Sequence, residues 1–176
     1  AGRWLVPRLP NWRSAHPEIP LEIVGTDRTI DLQSGDADVA IRYMKTPPPG
    51  LVAHELFRDA YILVASPNLL SGEGLGALSL IESVWSENYK DAATWRLWLA
   101  MARNAIPDLP PIGEAGTLSF TGETHAIQAL TAGQGIGICS DILVKPELEA
   151  GTLVKAVDFA MPGFGFYLAH VPRHPR

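Results

Sequence analysis

Apolar residues along this chain change their spacing repeatedly, and each change predicts a new element. Residues 21–24 (LEIV) and 39–43 (VAIRY) are short apolar runs that suit strands. Between them lie a polar turn at 25–28 and a short helical stretch ending near Gly35. That order predicts a β-α-β crossover, with parallel neighbours, a right-handed connection and a buried second strand. Upstream, residues 4–15 place Leu5, Leu9 and Trp12 at i, i+4 and i+7, one face of a helix. Pro7 suits its first turn, Pro10 kinks or shortens it, and His16-Pro17 ends it. Residues 51–57 and 61–66 read as two strands divided by Arg58-Asp59.

After Ser66-Pro67 and a flexible stretch at Gly72, Gly74 and Gly76, strands and helices alternate again. Strands are expected at 79–84, 116–120 and 136–139, and helices at 92–104 and 122–132, the second stopped by Gly133. Trp95, Leu99 and Ala102 share one face of the first of these helices. Ser140 is a candidate N-cap for a helix that Pro146 divides and Gly151 closes, and 165–171 is a last strand. The alternation predicts an α/β protein of two lobes, residues 1–66 plus 166–176 and residues 67–165. The chain would cross between them near Ser66 and near Gly165.

Composition narrows the function classes. Apolar residues make up 47% of the 176, enough for a core. The longest apolar runs, such as 61–65, fall far short of the ~20 residues a membrane span needs. A net charge of −5 leaves no electrostatic footprint for nucleic acid. The one cysteine, Cys139, cannot form an internal disulfide and reads as a buried hydrophobe in an apolar strand. A redox role would require exposure and a lowered pKa.

Candidate chemistry concentrates in small polar groups. Thr26 and Asp27 lie just past one predicted strand, and Arg42 and Tyr43 end the next. Parallel sheets bind ligands beyond the carboxyl ends of their strands. Arg42 could hold a carboxylate in a bidentate fork or pair with Asp36 or Asp38. In FTGETHAIQALTAGQGIGI, Ser119 and Thr121 precede a helix whose N-terminus suits an anion, although Thr121 or Thr124 could instead cap that helix. Glu123 would repel an anion there if it pointed inward. Gly133, Gly135 and Gly137 close a helix and open a strand, the reverse of a dinucleotide fingerprint. Asp27 and Asp31 suit turns and caps, and His125 has no metal-ligand spacing around it. No nucleophile elbow, HExxH or P-loop lysine occurs, so no enzyme, metal or cofactor is expected.

Five segments in register carry a family resemblance: WLVPRLPNWRSAHPEI, DLQSGDADVAIRY, LVAHELFRDAYILVASPNLL, WRLWL and AIQALTAGQGIGI. Together they resemble the effector-binding domain of LysR-type transcriptional regulators, nearest the glycine-cleavage-activator branch, over almost the whole chain. The resemblance implies two Rossmann-like lobes of periplasmic-binding-protein type, joined by two crossing hinge strands. It implies a cytoplasmic regulator whose interlobe cleft takes a small effector, an amino acid or a carboxylate. Thr26, Asp27, Arg42, Tyr43 and Ser66 are the expected contacts on one side, with Ser119, Thr121, Thr124 and Gly135 on the other.

Relatives pair such domains side by side. The resemblance therefore places Leu5, Leu9, Trp12, Leu21 and Ile23 in a homodimer or homotetramer interface, where Trp12 is either an anchor or a core residue. DNA would be contacted only through a winged helix-turn-helix upstream of Ala1, and the chain reads as a fragment. The family's first strand would also lie upstream, between the segments at 21–24 and 39–43, leaving their edges unpaired. The competing reading is a solute-binding protein of a transport system, which shares the two-lobed architecture.

Overall fold

The run YILVA at 61–65 is the most buried stretch of the chain because both of its faces are covered. The structure, a computed structural model, describes residues 2–26, 28–84 and 93–172. Among them, β1 (Val39–Met44), β2 (Val52–Ala65), β3 (Leu80–Ser83), β4 (Thr117–Phe120), β5 (Ile136–Ser140) and β6 (Val154–His170) form one mixed sheet, in the order β1-β6-β2-β5-β3-β4. The helices are α1 (Leu9–Ala15), α2 (Pro67–Leu70), α3 (Trp95–Ala105), α4 (Glu123–Thr131) and α5 (Lys145–Ala150). The pairs β1/β6, β2/β6 and β2/β5 are antiparallel, whereas β3 pairs parallel with β4 and β5.

Alternation along β2 sorts the core into two layers. Ile62 and Val64 pack with Ile81, Ile127, Leu130 and Leu153, on the α4 side. Tyr61, Leu63 and Ala65 pack with Trp98, Ala102, Ile136 and Met161, on the α3 side. Thr94 caps α3 by accepting the Leu97 N–H at 3.2 Å, and Gly151 ends α5 in the left-handed conformation at φ 72°. At the other end of the sheet an aromatic row crosses the strands. Tyr43 lies 4.8 Å from Phe166, Phe166 4.9 Å from Phe57, and Phe57 4.7 Å from Trp4, centroid to centroid.

Several expectations are corrected. Residues 21–24 form no strand, and Leu21, Ile23 and Val24 are exposed. The β-α-β crossover is therefore not formed: β1 is an edge whose ladder partner is β6, antiparallel. A four-residue segment without a ladder leaves its backbone groups to water, so its apolar pattern alone cannot hold it as a strand. β1 is also not buried, with Val39 50% and Ile41 37% exposed. The two strands expected on either side of Arg58-Asp59 are one, β2, with register shifts at Glu55/Phe57, Arg58/Ala60 and Ile62/Val64. Such shifts bend a strand and redirect a side chain without ending it. Likewise β6 begins at Val154, not near Gly165, and runs through Pro162 and Gly163. Pro146 sits in the first turn of α5 and starts that helix instead of dividing it.

Candidate functional site

The polar centre of the molecule lies where β2 and β6 run through from one end of the sheet to the other. At the Arg58/Ala60 shift the Asp59 side chain turns inward and is only 4% exposed. Its Oδ1 accepts the Ser140 hydroxyl at 2.7 Å and the Ala60 N–H at 2.9 Å, while its Oδ2 is buried with no hydrogen-bond partner among the described residues. Ser140, the last residue of β5, is 1% exposed and donates its N–H to Glu123 Oε1 at 2.6 Å. The Ser140 hydroxyl also accepts the Leu143 N–H at 3.2 Å, capping the turn after β5. One serine thus holds a carboxylate from β2 and another from the first turn of α4.

Two tyrosines complete the cluster. The Tyr43 hydroxyl accepts the Phe164 N–H at 3.0 Å and is hydrogen-bonded to Tyr61. Gly163 lets these groups approach, because a Cβ there would lie 2.8 Å from the Tyr43 hydroxyl and 3.1 Å from Asp59 Cβ.

Burial dominates the electrostatics. It pushes the Asp59 carboxyl up to about 7 against the Ser140 hydrogen bond, with the Glu123 and Asp141 charges adding to the rise. It pushes Glu123 up to about 7 as well, although the Ser140 N–H and the Arg3 charge pull the other way. The Tyr43 and Tyr61 phenols are raised for the same reason, as is the Cys139 thiol, which makes the buried-hydrophobe reading of that cysteine the right one.

Beside the cluster is a small, partly open recess of about 10 Å³, room for one water-sized polar group, lined by Tyr61, Leu80, Ile81, Glu82, Ser83, Ala93, Trp95, Glu123 and Ile138. The Ser83 hydroxyl oxygen is buried and has no hydrogen-bond partner among the described residues. Among the described residues, no group of His, Cys, Asp and Glu is placed to hold a metal ion.

The expected contacts divide sharply. Tyr43 lies in the cluster, whereas Asp27 lies outside the described residues. Thr26 is exposed and accepts the Arg28 N–H at 3.1 Å in a local turn. Arg42 donates to the Ile30 carbonyl at 2.6 Å, tying the preceding loop to β1. Consecutive strand residues point to opposite faces, so Arg42 and Tyr43 cannot serve one cleft from the same face. Ser66 occupies the N-cap position of α2 without a side-chain capping bond. Ser119, Thr121 and Thr124 are exposed; Gly122, not a threonine, is the N-cap of α4, and no side chain caps it. Gly135 abuts the Ser79 carbonyl, which accepts the Ile136 N–H at 2.9 Å, so its missing side chain serves the approach of β5 to β3. Asp59, Tyr61, Ser83, Glu123 and Ser140 were not among the expected contacts. A charged residue inside an otherwise continuous strand, as at Asp59, is the signal that could have found the cluster.

The family model described as LysR substrate binding domain matches residues 1–176. The chain belongs to that family. It is 34% identical over 154 residues to the glycine cleavage system transcriptional activator of Escherichia coli (strain K12), covering 88% of this chain and 49% of that protein. To the AhcY transcriptional activator HvrB of Rhodobacter capsulatus it is 26% identical over 175 residues, covering 98% of this chain and 57% of that protein. This LysR substrate-binding domain thus spans about half the length of those curated relatives. Both are transcriptional activators, in agreement with a regulator in place of an enzyme.

Solved structures share the fold. The effector domain of AmpR of Pseudomonas aeruginosa superposes with a TM-score of 0.71 at 20% identity, over 98% of this chain and 81% of that one. The AmpR effector binding domain from Citrobacter freundii gives 0.72 at 18% identity, over 98% and 83%. The fold is accordingly α/β and two-lobed, of periplasmic-binding-protein type. No helix among the described residues is long and apolar enough to cross a membrane.

Proposed function

We propose that this domain senses a small molecule for a LysR-type transcriptional regulator. The effector enters the cleft over the Asp59–Ser140–Glu123 cluster and the recess beside it. In this reading one lobe comprises residues 1–66 plus 166–176 and the other 67–165, with β2 and β6 as the hinge strands. The observation that carries the reading is the polar cluster itself, which joins β1, β2, α4, β5 and β6 at the crossing. A ligand contacting groups from both lobes shifts their relative orientation by its differential affinity for the two arrangements. In a longer cytoplasmic parent that change would reach a DNA-binding domain outside this chain.

Oligomerisation would use Leu5, Leu9, Trp12, Leu21 and Ile23. Leu21 and Ile23 are exposed, and Leu5, Leu9 and Trp12 only partly buried, which supports an apolar surface available to a second copy.

A thermal-shift screen of the chain against small metabolites, followed by NMR of each hit, tests the site. Perturbations at Tyr43, Tyr61 and Glu123, weakened by Tyr61→Phe, are the expected result. Hits that bind elsewhere, or a folded chain that no compound stabilises, would overturn it.

A further inference from the structure

Ligand charge is legible in the walls of the recess. Glu82 and Glu123 bring two carboxylates to it, and Trp95 adds an indole wall whose ring stacks on Trp98 at 5.5 Å. Among the described lining residues there is no Lys, Arg or His. The buried Ser83 oxygen, without a partner among the described residues, is a further acceptor at the same wall. Arg3 acts on Glu123 through space, but its hydrogen bonds go to the Leu143 carbonyl and the Glu147 carboxylate. The end of α4, where an anion could have met free N–H groups, already carries Glu123 in its first turn.

Resting on the reading that this recess belongs to the effector cleft, we infer that the group recognised there is a protonated organic amine. A carboxylate would meet two carboxylates and no counter-charge among the described lining residues. An ammonium group would find carboxylates, a waiting hydroxyl and an aromatic face. Either class of effector expected from the sequence is then narrowed: an amino acid would enter by its amino end, and a simple carboxylate would be rejected.

Protonation adds an independent readout. Glu123 is held near 7 by burial, opposed by Arg3 and the Ser140 N–H, and its charge is felt by Asp59, Tyr61 and Cys139. Binding a cation favours the ionised carboxylate, so affinity rises between about pH 6 and about pH 8. An anion would show the opposite trend.

Three four-carbon probes of matched length test this on the full chain by calorimetry, with the Trp95 indole followed by NMR and identified through Trp95→Phe. They are putrescine, butanediol and succinate. Putrescine is expected to bind, to shift the Trp95 signal, and to weaken about tenfold in Glu82→Gln and in Glu123→Gln. Glutamine keeps the acceptor for Ser140, and Glu82→Gln guards against loss of fold at position 123. Succinate or butanediol binding at Trp95 as well as putrescine does would overturn the charge inference and leave the cleft reading standing. A folded chain that binds none of the three overturns both.

Discussion

Asp59 and Glu123, 64 positions apart, are bound to the same residue: Ser140 gives its hydroxyl to one and its N–H to the other. The two carboxylates come from the long central strand β2 and from the helix that covers one face of the sheet. Ser140 therefore couples the bulge in β2 to the position of α4. A movement of Asp59 against Ser140 must stretch or remake the hydroxyl bond, whereas the bond to Glu123 stays within residues 67–165.

Stability should rise on mild acidification. Both carboxyls are held up at about 7 in the folded chain, whereas in the unfolded chain they titrate near 4. Between those values the folded state holds protons that the unfolded state has released, so lowering the pH from about 8 to about 5 favours folding. The gain should be on the order of 2 kcal/mol, or several degrees in Tm. Asp59→Asn should flatten the profile. Thermal melts at a series of pH values check this, and a Tm that falls or stays level from pH 8 to pH 5 would rule it out.

Ser140→Ala removes the hydroxyl donor to Asp59 and the acceptor for the Leu143 N–H together. Asp59 Oδ1 keeps the Ala60 N–H, so the cluster weakens without collapsing. A loss of about 1–3 kcal/mol is expected in urea unfolding, with the midpoint lowered and the slope unchanged. The Asp59 carboxyl should also titrate higher than in the parent chain, a shift that carboxyl carbon NMR would read. A variant as stable as the parent would show the hydroxyl to be dispensable.

Trp98 is fully buried, stacks beside Trp95, meets Phe159 edge-on at 5.4 Å, and donates its indole N–H to the Tyr61 carbonyl at 3.0 Å. It thereby joins α3 to the strand that carries the cluster. Trp98→Phe should cost about 2–4 kcal/mol, from the lost volume and the Tyr61 carbonyl left without its donor. Denaturant unfolding measures this, and a loss below about 1 kcal/mol would mean that the site relaxes around the smaller ring.

Much of the pattern across residues 67–165 was legible because glycines bound its strands and helices and β5 and α4 each bury an apolar face. The strand at 136–139, the helix at 122–132 and its stop at Gly133 follow from local pattern, and the observed bounds differ by a residue at most. The N-terminal third was less so. Residues 21–24 look like a strand, but whether a strand forms is decided by a partner, which no local pattern contains. Asp59 resembled a break between two strands because a bulge and a turn share the same polar signature. Local pattern leaves the direction of Glu123 open; only the tertiary approach of Ser140 makes it an internal acceptor. The opposition of Arg42 and Tyr43, by contrast, was readable from strand period alone.

Gly163 tests the packing of the cluster from the other side. Its neighbours are the Tyr43 hydroxyl and the Cβ and carbonyl of Asp59, so Gly163→Ala inserts a methyl at 2.8 Å and 3.1 Å from them. The Asp59 contacts cannot retreat easily, since that residue is fixed by Ser140 and Ala60. A destabilisation of about 1–3 kcal/mol is expected, the usual cost of overpacking. Tyr43→Phe removes the nearest of the clashing atoms and also the acceptor of the Phe164 N–H. If the clash is with the hydroxyl, the double variant should be more stable than the sum of the two single effects predicts, by about 0.5 kcal/mol or more. Strict additivity in that cycle would instead locate the clash on the Asp59 backbone, where no side-chain change at position 43 can relieve it.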